Sequence, residues 1–223
     1  MDRIINIVYY VWINPNRNYN IIIDGQLNDL IVSGILERSK LFIVICCEHN
    51  HLINDINNIV QTKLGSISNI EYSIQYTNVN NFEYAGIKKV YDLALQEPDK
   101  LYIYMHSKGM LNYDYPHHRT ASNEYLTRTL ISMWKDIITT FNLNPDFLKM
   151  GMFPAKTNWI WFNFWWARGT YLNTCEDPII TDYRYYYESW VGTGNNSIGQ
   201  TYNFNEGNFN SYTAEEALER FMK

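Results

Sequence analysis

Hydrophobic and polar positions alternate between two periods along the first half of the chain. About Ile4 to Ile13 reads as a strand, ended by Asn14-Pro15-Asn16, because proline fixes φ and asparagine favours turns. From about Ile22 to Arg38, Leu27, Leu30, Ile31, Ile35 and Leu36 recur at helical spacing. Leu41 to Ile45 is an unbroken apolar run, the pattern of a strand covered on both faces. A helix from about Leu52 to Lys63, a strand near Ile70 to Tyr76, a helix from about Tyr84 to Gln96 and a strand from Leu101 to Met105 continue the series. Such alternation predicts βαβ units and a largely parallel sheet.

Beyond Met105 the pattern changes. A long helix is expected near Ala121 to Phe141 and a strand near Phe147 to Phe153, followed by an aromatic stretch and a polar, glycine-bearing segment. Thr213, Glu215 and Glu216 ahead of Leu218 and Phe221 predict a capped terminal helix. With 223 residues and no internal repeat or low-complexity linker, the expectation is one domain.

Composition narrows the function classes. A hydrophobic fraction of 46% with 18% charged residues belongs to a folding chain rather than a disordered one. The formal charge of −5 supplies no cationic field for a phosphate backbone, so nucleic acid is not an expected partner. One or two placed cations still suffice for a small phosphorylated ligand. Cys46, Cys47 and Cys175 make neither a metal spacing nor a disulfide framework and read as core residues. The amino-terminal apolar run has no basic region before it and is too short to span a bilayer, which predicts a cytoplasmic protein without a membrane span. Oligomeric state is not legible in the sequence.

In open α/β sheets ligands bind outside the carboxyl ends of the strands, so residues after Ile13, Glu48, Tyr76 and Met105 are candidates. The last of these loops carries the most chemistry. His106 and Lys108 flank Ser107, and Gly109 permits close backbone approach to a ligand.

Ala85-Gly86-Ile87-Lys88 through Leu101-Tyr102-Ile103-Tyr104-Met105-His106-Ser107-Lys108 resembles the helix, strand and Asp-X-Asp turn of nucleotide-sugar glycosyltransferases with the GT-A fold. Within that fold the likeness is to small glycosyltransferases of giant viruses and chlorella viruses, and more loosely to rhamnan-synthesis-type transferases, which share a His-Ser/Thr-Lys-Gly turn. Glu83 to Lys88, Asn163 to Arg168 and Arg184 to Trp190 extend the resemblance over most of the chain. It implies a GT-A-like, Rossmann-type α/β/α sandwich with a mostly parallel mixed sheet. Residues 1–110 would form the nucleotide-sugar half and 111–223 the acceptor side. The implied partners are an NDP-sugar, UDP-linked first among them, carrying a hexose or deoxyhexose, and a carbohydrate acceptor.

The Asp-X-Asp positions fall on His106 and Lys108. In the family those carboxylates hold a divalent cation that neutralises the leaving diphosphate. Two potential cations instead predict direct stabilisation of the diphosphate, with no metal ligand required by the turn; a manganese or magnesium ion elsewhere in the site stays open. The alternative is an exposed lysine beside a structural histidine.

Donor contacts are further expected from Tyr10, Trp12 and Asn14 at the first strand's exit, and from Glu83 and Lys88 at the start of the helix before the donor strand. An inverting transfer needs a carboxylate to accept the proton of the acceptor hydroxyl. Glu188, set among aromatic residues that would desolvate it, is the first choice, with Asp182 and Asp177 behind it. The competing reading pairs Glu188 with Arg184 at i,i+4 on a helix. Trp161, Asn163, Trp165, Arg168 and Tyr187 are candidate acceptor contacts, the aromatic members serving equally well as core. His117 and His118, after Pro116, read as a loop able to close over phosphates or as exposed surface. A catalytically inactive nucleotide-sugar or glycan-binding module is the alternative function.

Overall fold

The computed structural model describes residues 3–108, 110, 119–195 and 201–221. Among the described residues seven strands form one sheet: β1 (Ile5–Trp12), β2 (Ser39–Cys46), β3 (Glu71–Thr77), β4 (Leu101–His106), β5 (Lys149–Gly151), β6 (Trp165–Arg168) and β7 (Thr201–Asn203). Their order is β3-β2-β1-β4-β6-β5-β7. β1 pairs in parallel with β2 and β4, β2 with β3, and β5 with β7, whereas β6 runs antiparallel to β4 and β5. The helices are α1 (Tyr19–Ser33), α2 (Ile53–Leu64), α3 (Tyr84–Gln96), α4 (Ala121–Ser132), α5 (Trp134–Leu143), the short α6 (Gly169–Leu172) and α7 (Tyr185–Ser189), and α8 (Ala214–Phe221).

Strand alternation builds two cores. Ile5, Ile7, Tyr9 and Val11 of β1 and Leu101, Ile103 and Met105 of β4 face α1, α2, α4 and α5. Val8, Tyr10, Tyr102 and Tyr104 face Ile87 and Val90 of α3, together with Tyr187 and Trp190. The result is an α/β/α sandwich in which β1, β2 and β4 are buried almost throughout, as their apolar runs predict. All three cysteines are buried and free. Among the described residues no helix is long and apolar enough to cross a membrane.

Three sequence expectations need correction. The first helix begins at Tyr19 and stops at Ser33, where Gly34 turns left-handed at φ 71°; Ile35–Arg38 is a separate 3-10 turn. The helix expected over Ala121 to Phe141 breaks at Met133, whose φ −98° and ψ 21° lie outside the helical region. The break lets Trp134 donate its indole N–H to Ser33 O at 2.9 Å while Leu126 and Leu130 on one side, and Ile137 and Phe141 on the other, reach the same core. The strand expected from Phe147 to Phe153 is reduced to Lys149–Gly151. Within the aromatic stretch, Phe162 and Asn163 adopt φ 69° and 55°, so only Trp165 and Trp166 enter β6. At the terminal helix the expected cap is present: Thr213 N donates to Glu216 Oε2 at 2.6 Å and Glu216 N to Thr213 Oγ1 at 3.2 Å.

Candidate functional site

The chain leaves β1 outward to β2 and β3, then returns to place β4 on the other side of β1. The loops after β1 and β4 therefore diverge, and a crevice opens at the carboxyl ends of these strands. A cleft of about 640 Å³ lies there, between Tyr10 and Trp12 of β1, His106 and Lys108 after β4, and Arg184 and Glu188 at α7. A wider depression of about 840 Å³ lies between α1, α2 and α4. Its charges satisfy one another, with Arg119 Nη1 at 2.6 Å and Arg128 Nε at 3.1 Å from Asp29 and Lys63 at 2.9 Å from Asp24, so it reads as a structural clamp.

The turn after β4 is held from three sides. Ser107 N donates to Tyr10 O at 2.9 Å, and Trp12 N donates to Ser107 Oγ at 3.1 Å, extending the β1–β4 pairing past the last strand residues. Behind the turn, Gln26 Nε2 donates to His106 O at 3.0 Å and Asn123 Nδ2 to Lys108 O at 2.8 Å. Asn14 Nδ2 donates to Met110 O at 3.1 Å. Ser107 and Asn14, both expected at the donor, are buried and spend these groups on the backbone. Ser107 stands in the wall of the cleft, and Asn14 lies behind it, outside the lining.

Lys108 is the cation best placed for a ligand. Its Nζ lies 5.5 Å from the Phe162 ring centroid, and among the described residues no carboxylate is within 4.0 Å of it. His106 is committed differently. Its Nε2 lies 3.1 Å from Phe162 O, an acceptor only, so Nε2 carries a proton. Its Nδ1 faces Glu83 Oε1 at 3.9 Å, and the ring packs against Phe164 with centroids 4.9 Å apart. Trp12 is half-buried and lines the cleft, and its Nε1 is buried without an acceptor among the described residues.

Glu83 is fixed by a buried network. Its Oε2 accepts from Tyr104 OH at 2.8 Å and from Asn163 Nδ2 at 2.6 Å, and Asn163 Oδ1 accepts from Trp165 Nε1 at 2.7 Å. Burial, and then the neighbouring Glu83 charge, push the Tyr104 hydroxyl far above its ordinary range, so it stays a proton donor. Tyr10 OH donates to Phe82 O, holding Phe82 at φ 52° directly before Glu83. Glu188 is pushed up from the usual carboxylate range by burial; the Lys108 charge opposes this and the Glu83 charge adds to it. No ion pair joins Glu188 to Arg184 among the described residues; Arg184 instead lies 5.3 Å over the Tyr185 ring.

Tyr10, Trp12, Glu83, His106, Ser107, Lys108 and Glu188 are thus brought to one cleft, as the sequence predicts. Others are placed elsewhere. Lys88 points into a neighbouring groove and binds Asp92 at 3.0 Å and Asp177 at 2.7 Å, which engages Asp177 as well; the hydrogen bond it donates to Asp177 is the main cause that raises the lysine pKa. Asp182 is exposed and does not line the cleft. Trp161 donates to Tyr212 O at 3.0 Å, and Trp165, Tyr187 and Asn163 are fully buried. Arg168 pairs in register with Leu101, at the far end of β4 from His106, and donates to Phe147 O at 2.8 Å and Asn144 O at 3.2 Å. The aromatic stretch is therefore largely core, and none of the five acceptor candidates, Tyr187 of α7 included, lines the cleft. Gly109, His117 and His118 lie outside the described residues.

Sequence reasoning gave Arg184 no ligand role; its spacing four residues before Glu188 suggested only a pair. Phe82 was missed altogether, and the contact of Glu83 with Asn163, 80 residues apart, leaves no local signal. Among the described residues no three His, Cys, Asp or Glu side chains gather as metal ligands. The donor set at the turn does not fit a divalent cation either, since an ammonium stands at one position and the imidazole Nε2 is spent on a carbonyl. No family model, curated protein or solved structure matches this chain.

Proposed function

We propose that the protein is a glycosyltransferase of GT-A type, moving a hexose or deoxyhexose from an NDP-sugar, UDP-linked in the first instance, to a glycan acceptor with inversion. The observation that carries this reading is a carboxylate with a raised pKa, Glu188, and an ammonium without a carboxylate partner among the described residues, Lys108, in one cleft at the sheet's switch point. Trp12 offers its ring to the nucleobase. Lys108 and Arg184 face the diphosphate. Glu188 accepts the proton of the acceptor hydroxyl, whose oxygen forms the new bond to the anomeric carbon as the bond to the diphosphate oxygen breaks. The nucleoside diphosphate leaves with its charge stabilised by the fixed cations, an interaction that strengthens as the bond breaks. No step runs through a metal.

Thermal-shift measurements against UDP, GDP, dTDP and CMP and their sugars, with manganese or with excess EDTA, test the reading. A shift with one nucleotide family that survives EDTA supports it. A shift that appears only with manganese contradicts the role given to Lys108.

A catalytically inactive binding module of the same cleft is the second reading. It rests on the absence of carboxylates at the turn positions 106 and 108. Binding without any release of nucleoside diphosphate would favour it.

A further inference from the structure

We infer that Asn163 is the positioning residue of the cleft, tying Glu83 and the helical turn that carries Glu188 into one rigid unit. The inference rests on the transferase reading for its catalytic meaning, but its geometry stands without it. Asn163 is fully buried and cannot meet an acceptor sugar, the role its sequence context suggested. Every polar atom of its side chain is used. Nδ2 donates to Glu83 Oε2 at 2.6 Å and to Tyr187 O, the carbonyl leading into Glu188, at 3.3 Å. Oδ1 accepts from Trp165 Nε1 at 2.7 Å, which fixes the amide's orientation, because the reversed amide would set N–H against N–H.

The backbone supports the same role. Asn163 sits at φ 55° and Phe162 before it at φ 69°, and asparagine is among the few side chains that enter this region readily. That turn aims Phe162 O at His106 Nε2 while Asn163 reaches Glu83, so the two neighbours in the cleft are held by adjacent residues. Glu83 faces Tyr10 from β1, Tyr104 and His106 from β4, and Glu188 from α7; Glu188 faces Lys108, His106, Arg184 and Glu83. In this crowd the amide that donates to Glu83 holds that carboxylate stationary beside Glu188.

Asn163→Asp separates positioning from packing. The aspartate tolerates the left-handed backbone and can still accept from Trp165, but it replaces the donor to Glu83 with a second carboxylate. Carboxyl carbon NMR titrations, assigned with Glu188→Gln, should show the Glu188 midpoint rising further, because a second carboxylate now stands where the amide held Glu83 and the carbonyl before Glu188. Asn163→Gly keeps the left-handed backbone and removes the whole amide, the acceptor of Trp165 Nε1 included, without adding a charge, so it carries the test if the aspartate variant does not fold; a smaller rise is expected. Where turnover is measurable, the acid limb of kcat/KM should move up with the titration. Folded variants with an unchanged Glu188 titration overturn the inference and leave the transferase reading intact. Shifted titrations in a protein that releases no nucleoside diphosphate from any donor support the positioning role and remove the transferase reading.

Discussion

Lys149 should make this fold gain stability as pH rises above neutrality, and removing its charge should abolish the effect. The residue is fully buried at the start of β5. Its Nζ donates to Tyr171 OH at 2.9 Å and Asn158 Oδ1 at 3.1 Å, lies 4.5 Å over the Tyr171 ring, and has no carboxylate partner among the described residues. Burial pushes the ammonium down from 10.5 to about 7. The unfolded chain thus holds this proton across a range in which the native state has lost it, and stability rises with pH wherever the unfolded state binds more protons. Below pH 7 both states are protonated and the penalty is fully present, about 4 kcal/mol at pH 7 from 1.36 kcal/mol per pH unit. From pH 7 to 8.5 about 1.5 kcal/mol of it should be relieved, before Cys46 and Cys175, pushed up to about 11 by burial, begin to oppose the trend above pH 9. For a chain of this size that is a rise of roughly 3 to 6 °C in Tm. Lys149→Met keeps the volume and removes the charge, so it should raise stability at pH 7 by roughly 1 to 3 kcal/mol after its lost hydrogen bonds are counted. Urea unfolding of both proteins at pH 7.0, 7.5, 8.0 and 8.5 reads the slopes directly. Equal slopes for the two proteins would refute the reasoning.

Other perturbations test the cleft and its frame. A Cβ on Gly86 would lie 2.7 Å from Tyr10 Cβ and 2.9 Å from the Tyr104 hydroxyl, so Gly86→Ala should destabilise the α3 packing by roughly 1 to 3 kcal/mol in chemical unfolding. The Lys108 charge holds the Glu188 pKa down against burial; Lys108→Met should therefore move the acid limb of turnover to higher pH, and an unmoved limb would separate the two residues. Because Glu188 must be ionised to accept a proton, activity should be lost as pH falls through its raised pKa, above the ordinary 4.5 of a glutamate, in a pH–rate profile. Lys88→Met breaks its ion pairs with Asp92 and Asp177 and should leave nucleotide affinity unchanged in the thermal-shift assay.

Much of the frame was legible because single physical rules decide it. The apolar run Leu41 to Ile45 has to be a doubly covered strand, and the helix Tyr84–Gln96 matches its periodicity to the residue. The location of the cleft follows from strand order alone, and His106 to Lys108 stand where the alternation puts them. What could not be read is tertiary. The break at Met133 depends on an indole reaching Ser33 across the core. Lys88 looks available in sequence and is engaged by Asp177, 89 residues away. Asn163 and Arg168 share one aromatic segment, yet two left-handed residues and a short antiparallel strand send Asn163 beneath the cleft and Arg168 to the opposite end of the sheet.

The central claim is that Glu188 turns over a nucleotide-sugar bound through Lys108 in the cleft, without a metal. Release of nucleoside diphosphate from the donor that gives the largest thermal shift, measured in excess EDTA for the wild type and for Glu188→Gln, tests it most directly. The account predicts release by the wild type and, for the variant, an unchanged donor shift with turnover lowered at least about a hundredfold. Near-normal turnover by Glu188→Gln, or no release by the wild type without manganese, would contradict it.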